Sequence, residues 1–396
     1  MLFLLLFSVF GNSYATGIKA THVYHNHMPN FWPYFDVASY DSLSTGMPIS
    51  YTVAAQVIEL KKSPPYRWPF LPNGLPMPHD NLAEGGYYSH HAKWGAYQYW
   101  PPGVVSSMAG QHPLAQSHVT MSGAVITAVH SLNTSFVPEL QQHYNNPEWY
   151  NYWRQVHQDY KSPGGYPKLD LLNFTGHHVL GPLVGAEYFE KDLIFQRVVY
   201  KSAMFLGSAG QMSRGYFPTE LGFSKRLIPT LTKLGISWAA VGNVHFSRTL
   251  KDYPYLNDPG VDTLTSPPNR ADLRNESHGG VWKSKQMFNE KQVTHNKFPF
   301  AAQPRPVEYV DPATGEISRL SAIPVEQASS WEEGYQGRVE PSVLDGVGCE
   351  QTVTPCYFVI AHDGDNSSGR AGSEETWRNS GDVTYKAKNT EGMGVD

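Results

Sequence analysis

Short apolar runs that each stop abruptly in a cluster of histidines, carboxylates or amides constrain this 396-residue chain more than any other feature. Ile18 to Tyr24 alternates, is rich in β-formers, and runs into His25-Asn26-His27-Met28-Pro29-Asn30-Phe31-Trp32-Pro33-Tyr34. Ile236 to Val241 reads as a buried strand and opens into Asn243-Val244-His245-Phe246-Ser247-Arg248. Cys356 to Ala361 reads the same way and opens into His362-Asp363-Gly364-Asp365-Asn366. Buried strands with polar carboxyl ends are what a barrel of βα units produces, because the loops at that end form its working face. His25 and His27 stand two apart on a strand and so point the same way. Their functional readings are sugar hydroxyl contacts or two metal ligands; the plain one is an ordinary polar strand end. The two acids around Gly364 read as an active-site strand end, an Asx turn or, with a poor fit, a calcium loop.

A second kind of punctuation surrounds Glu220. Gly215-Tyr216-Phe217-Pro218-Thr219-Glu220-Leu221-Gly222-Phe223-Ser224 is a turn rich in aromatics with one carboxylate at its centre. Ser224 is placed to cap an amphipathic run from Lys225 to Leu234, and Gly235 to end it. A Glu in such a loop suits chemistry on a flat, polar-edged ring; the plain reading is a solvated carboxylate near a helix N-terminus. Elsewhere, helical patterns cover Pro48 to Leu60, Trp149 to Tyr160 and Tyr188 to Leu206. Val119 to Val129 reads equally as helix or strand, and Gly176-His177-His178 as packing or capping. Pro304 to Leu320 reads as a hairpin turning at Asp311-Pro312-Ala313-Thr314-Gly315.

Net charge is −5, with no basic excess, which argues against a nucleic-acid partner. Aromatic residues make up 13%, which fits ring stacking on sugars and also a large aromatic core. Leu2 to Phe10 followed by Gly11-Asn12-Ser13-Tyr14-Ala15 resembles a signal peptide cleaved after Ala15, so residues 16–396 are expected to form the mature protein, secreted or periplasmic. A first buried strand, in a cytoplasmic protein, is the competing reading. No later segment is apolar enough to span a bilayer. Cys349 and Cys356 are the two cysteines, a small disulfide loop in an exported protein and free thiols otherwise. Asn133, Asn173, Asn275 and Asn366 head glycosylation sequons. There is no internal repeat, P-loop or dinucleotide fingerprint.

Three stretches together resemble glycoside hydrolase family 57: His25-Asn26-His27-Met28-Pro29 after the first strand, Tyr216-Phe217-Pro218-Thr219-Glu220-Leu221 before a helix, and His362-Asp363-Gly364-Asp365-Asn366 at a late strand end. The resemblance implies a distorted (β/α)7 barrel and retaining cleavage or transfer at α-glucosidic bonds, without a cofactor. It makes Glu220 the nucleophile and Asp363 the acid/base, with Asp365 either orienting Asp363 or acting as the acid. His25, His27, His245, Arg248 and His362 are expected to meet an α-glucan or oligosaccharide, with Trp32 stacking on it. Met28 stands where the family has Gln, and Met121-Ser122-Gly123-Ala124-Val125 lacks the Glu that members carry between these motifs. The family's helical C-terminal part is absent, so a truncated member is expected. Two other readings stay open: a metal-dependent carbohydrate deacetylase on a related barrel, with His25, His27 and Asp363 holding a divalent ion, and a glycan-binding protein without chemistry.

Overall fold

A computed structural model describes residues 19–27, 91–110, 116–134, 144–203, 212–247, 302–327, 329–330, 354–364 and 391–392. The leader, the Pro48 to Leu60 pattern, Trp32, Arg248, Asp365, Cys349, Asn275 and Asn366 lie outside these residues.

The apolar runs become strands: β1 (Lys19–Asn26), β2 (Ser117–Met121), β3 (Leu169–Leu171), β4 (Gly215–Tyr216), β5 (Trp238–Gly242), β6 (Arg305–Val310), β7 (Ile317–Val325), β8 (Tyr357–Asp363) and β9 (Glu391–Gly392). The sheet order is β3-β2-β1-β8-β7-β5-β4, and every pair along that path is parallel. β6 adds antiparallel to β7, and β9 pairs the start of β1. The path does not end at two free edges. Asn173, two residues past β3, bridges Tyr216 in parallel, with Asn173 N–H donating to Gly215 O at 2.9 Å and Phe217 N–H to Asn173 O at 3.1 Å. The seven parallel strands therefore close into a distorted (β/α)7 barrel. One thin point is the β7–β8 contact, registered only at Val325–Val359.

Alternation fixes what faces the lumen. Val23, Leu172, Phe174, Phe217, Trp238, Ala240, Ile323, Val325, Val359 and Ala361 fill it as one apolar cluster. Trp238 lies across Gly215, where a Cβ would come within 2.1 Å of the indole. The helices between strands are α1 (His91–Gln98), α2 (Trp100–Met108), α3 (Gly123–Thr134), α4 (Tyr150–Asp159), α5 (Ala186–Ala203), α6 (Ile228–Lys233) and α7 (Asn243–Ser247). Phe189 and Leu193 of α5 and Ile228 and Leu231 of α6 pack on Tyr216, Ala239 and Leu320 of the barrel's outer surface.

The ambiguous Val119 to Val129 run resolves into both elements: β2 stops at Met121 and α3 begins at Gly123. Ser224 makes no side-chain cap. Its carbonyl accepts Leu227 N–H at 3.0 Å in a 3-10 turn, and Lys225 O is likewise met by Ile228 N–H because Pro229, the α-helical donor to that carbonyl, has none. Gly235 ends α6 as expected, at φ 75°. The β6–β7 turn forms where expected, with Asp311 Oδ1 accepting the amides of Ala313 and Thr314. Trp153 of α4 is wholly buried and donates to Gln98 O at 2.9 Å.

Two sequons are structural. Asn133 is buried and bonded to Gln98 and Val129, and Asn173 is 1% exposed at the closing seam, so neither is open to a glycan in the folded chain. Cys356 is disulfide-bonded. No helix among the described residues is long and apolar enough to cross a membrane.

Candidate active site

The site is assembled at the carboxyl end of the barrel, starting from β1. The parity that buries Val23 in the lumen also turns His25 inward. His25 lies 4.9 Å from the ring of Phe174 and 5.5 Å from that of Phe217, and its Nδ1 is 2.6 Å from Thr120 Oγ1 on β2. His27, one step higher, pairs with Ser122 Oγ at 2.9 Å.

β8 runs beside β1 in parallel, with Asp363 in register with His25 and Ala361 with Val23. Asp363 thus takes the lumen-facing parity of Val359 and Ala361 at the mouth, and it is exposed. His362 does not join it. Its register partner is Tyr24, and its ring meets that ring edge-on at 5.4 Å on the barrel's outer surface. Strand alternation thus places His362, expected as a substrate contact, on the face opposite Asp363, since neighbours on a strand face opposite ways.

The third contribution comes from the β3 loop, and the sequence did not announce it. His178 stacks on His27 at 3.7 Å with rings 6° from parallel. Its Nε2 lies 3.1 Å from His25 Nε2 and 3.7 Å from Glu220 Oε1. Expected as a packing or capping residue, His178 instead links the first-strand histidines to the carboxylate loop. Thr175 Oγ1 and Thr219 Oγ1, both buried, meet at 2.9 Å and tie the two loops together. Glu220 is 70% exposed and sits in a 3-10 turn, Thr219–Leu221. The region around Met121 to Val125, which carries no carboxylate, supplies Thr120 and Ser122 as hydroxyl partners instead.

Three non-glycine residues among those described have positive φ: His178 at 55°, Glu220 at 54° and Leu221 at 54°. Each such conformation costs roughly 1–3 kcal/mol and persists only where its surroundings hold it. All three belong to the two loops that meet here. His245 on α7 is exposed beyond the end of β5. Arg248, Trp32 and Asp365 lie outside the described residues.

Burial sets the charge of the histidines. It lowers His25 to about 3, with nearby His178 adding to the effect, and lowers His178 to about 4. At neutral pH both rings are uncharged, so they present hydrogen-bonding nitrogens and leave the Glu220 carboxylate unneutralised. His22, on the outer surface, is lowered to about 3 by burial and by His362. These three rings bind fewer protons folded than unfolded, so their contribution is present above the unfolded value near 6.5 and is lost as pH falls toward 3–4. Each group can contribute a slope of about 1.4 kcal/mol per pH unit in that window. We expect the urea unfolding midpoint to fall steadily from pH 6.5 to pH 4, and His22→Gln to flatten that slope by about a third. A midpoint indifferent to pH over this range would contradict the burial of these rings.

A metal reading is poorly served by this arrangement. Both nitrogens of His25 are engaged by Thr120 and His178, and His27 and His178 meet face to face instead of converging their lone pairs. Among the described residues, no three His, Cys, Asp or Glu side chains gather closely enough to hold an ion.

No family model matches the chain. A protein from Niallia circulans named Alpha-amylase is 53% identical over 390 residues, covering 96% of this chain and 29% of that protein. The chain therefore spans less than a third of the length of that relative. Among solved structures, a 4-alpha-glucanotransferase from Thermococcus litoralis overlaps with a TM-score of 0.48 at 12% identity, covering 96% of this chain and 39% of that one. The alpha-amylase AmyC from Thermotoga maritima overlaps with a TM-score of 0.43 at 10% identity, over 96% and 74% of the two chains.

Proposed function

We propose that this homologue of an alpha-amylase is the barrel of a retaining glycosidase of family 57 type, acting on α-glucans by hydrolysis or glucanotransfer. The observation that carries the reading is the 53% identity running through 96% of the chain. The geometry supports the assignment of roles. Glu220 reaches His25 through His178, and Asp363 stands beside His25 in register, so two carboxylates flank one pair of neutral imidazoles at one mouth.

In the proposed reaction the Glu220 carboxylate attacks the anomeric carbon while Asp363 gives its proton to the departing glycosidic oxygen. The glycosyl-enzyme ester is then opened by water, whose proton returns to Asp363, and Glu220 is released as carboxylate. Retention requires the two carboxyl groups about 5–5.5 Å apart with a sugar bound. His25, His27 and His178 are the proposed imidazole contacts to sugar hydroxyls, His25 by exchanging its bond to His178 for one to the sugar, and the lumen-facing Phe217 closes the floor. Asp365 remains the alternative acid, His245 a proposed hydroxyl contact at the cleavage subsite, and Trp32 and Arg248 proposed substrate contacts. Export follows from the leader reading and is proposed with it.

The test is product analysis. Wild-type protein incubated with maltooligosaccharides should release shorter chains or transfer products whose new anomeric carbon first appears in the α configuration by NMR, with activity unchanged by EDTA. Activity abolished by EDTA and restored by a divalent ion would favour the deacetylase-like reading. Binding of maltooligosaccharides without any product would favour the glycan-binding one.

A further inference from the structure

We infer that Asp192, on α5 and outside the barrel mouth, is a positioning residue that holds His178 against Glu220; this deepens the reading above and rests on it for the reaction, though not for the geometry. Asp192 is 4% exposed and faces the turn after β3. Its Oδ2 accepts the backbone N–H of His177 at 3.2 Å, and its Oδ1 pairs closely with His177 Nδ1. One carboxylate therefore grips both the peptide and the ring of the residue immediately before His178.

The turn is shaped to let this grip work. Gly176 lies against α5, where a Cβ would come within 2.5 Å of Phe195 and 3.4 Å of Asp192 Oδ1, so only a bare Cα lets the backbone seat itself there. The His177 ring, 61% exposed, stacks on Phe195 at 5.0 Å and spends its inner nitrogen on Asp192. The peptide leaving His177 then enters the left-handed conformation of His178. That conformation is disfavoured for a residue with a Cβ. The hook on His177 is a fixed anchor that opposes relaxation of the turn toward ordinary backbone. If the turn relaxed, His178 would swing away from His27, His25 and Glu220 together, and displacement of about 1 Å at a reacting centre costs on the order of 100-fold in rate. Asp192 also faces buried Tyr216, whose hydroxyl it pushes above its ordinary range, second to burial itself.

A double-mutant cycle tests the proposal. Asp192→Ala should lower kcat on a maltooligosaccharide by about 10- to 100-fold, with KM changed less than about threefold. Asp192→Asn, which keeps an acceptor for the His177 amide, should recover all but about fivefold of that loss. In a His178→Ala background Asp192→Ala should cost less than about threefold, because the residue it positions is gone. Nitrogen-15 imidazole spectra supply a readout that needs no turnover: the His178 ring signals should move and broaden in Asp192→Ala and return toward wild type in Asp192→Asn. Equal losses in both backgrounds, or His178 signals unmoved in Asp192→Ala, would overturn the inference. Should Asp192→Ala fail to fold, Asp192→Asn read by the same spectra decides: unmoved His178 signals with kcat reduced more than about tenfold would count against it. Absence of wild-type turnover would sink the substrate reading alone, and the spectra would still decide the positioning role.

Discussion

Glu220→Gln is expected to reduce turnover on maltooligosaccharides by about 10,000-fold or more while leaving the fold intact. The amide keeps the size and most hydrogen bonds of the carboxylate but cannot form the glycosyl ester. The side chain is 70% exposed, and the His178 ring 3.7 Å away is uncharged at neutral pH. Stability should therefore move by no more than about 0.5 kcal/mol. Asp363→Asn should act differently. Loss of the proton donor costs about 100- to 10,000-fold and should spare substrates whose leaving group departs without protonation. A nitrophenyl maltooside separates the two: Asp363→Asn should retain much of its first-step rate, and Glu220→Gln should not. Full activity in Glu220→Gln, or equal loss on both substrates in Asp363→Asn, would remove the proposed roles.

Asn173→Ala should cost about 3–5 kcal/mol, an unusually large effect for a polar side chain. The reason lies in how the barrel closes. The seam between β3 and β4 is one bridge long, and the Asn173 side chain stitches it. Its Nδ2 donates to Ser213 O at 2.7 Å and Gly215 O at 2.8 Å, and its Oδ1 accepts from Arg197 Nε at 2.7 Å. Arg197 reaches on to Leu234 O at 2.8 Å, tying α5 to the end of α6. Burial already lowers the guanidinium below its ordinary range. Removing the Asn173 side chain leaves Arg197 Nε and Ser213 O without that partner, while Gly215 O keeps only the backbone amide of residue 173, and stranding buried polar groups costs more than the bonds themselves contributed. In an Arg197→Met background the same change should cost about 1–2 kcal/mol less, since the stranded charge is absent. A loss below about 1 kcal/mol in urea unfolding would mean the seam is held elsewhere.

The strand ends were legible because burial and polarity change within one or two residues, as at Ala361-His362-Asp363, and a barrel is one of few folds that repeats that change. The turn at Asp311 to Gly315 was legible from its chemistry: Asp and Gly stand where the backbone needs an acceptor and a positive φ. His178 was not legible. Its role depends on a left-handed backbone and on partners 153 residues away at His25, and no local pattern carries either. Asn173 was read only as a sequon, because a one-residue bridge has no periodicity to detect. The displacement of His362 from the site was legible in principle, since alternation forbids adjacent strand residues from sharing the lumen. A motif read as a unit concealed that. Val119 to Val129 was ambiguous because a buried strand and a buried helix are both apolar throughout, and the break falls at Ser122, one small residue.

The backbone twist shared by positions 178, 220 and 221 sets a ceiling on what selection for endurance can achieve here. Glycine tolerates that twist without penalty, so a library screened only for survival of heating would drift toward glycine at all three places. Two of those exchanges would erase the imidazole and the carboxylate on which sugar cleavage is proposed to depend. Leu221, whose side chain packs partly against the lumen, is the one place where the drift would spare the chemistry. Robustness and catalysis thus compete along a few residues of one bend, and the chain as it stands has settled that contest in favour of the mouth.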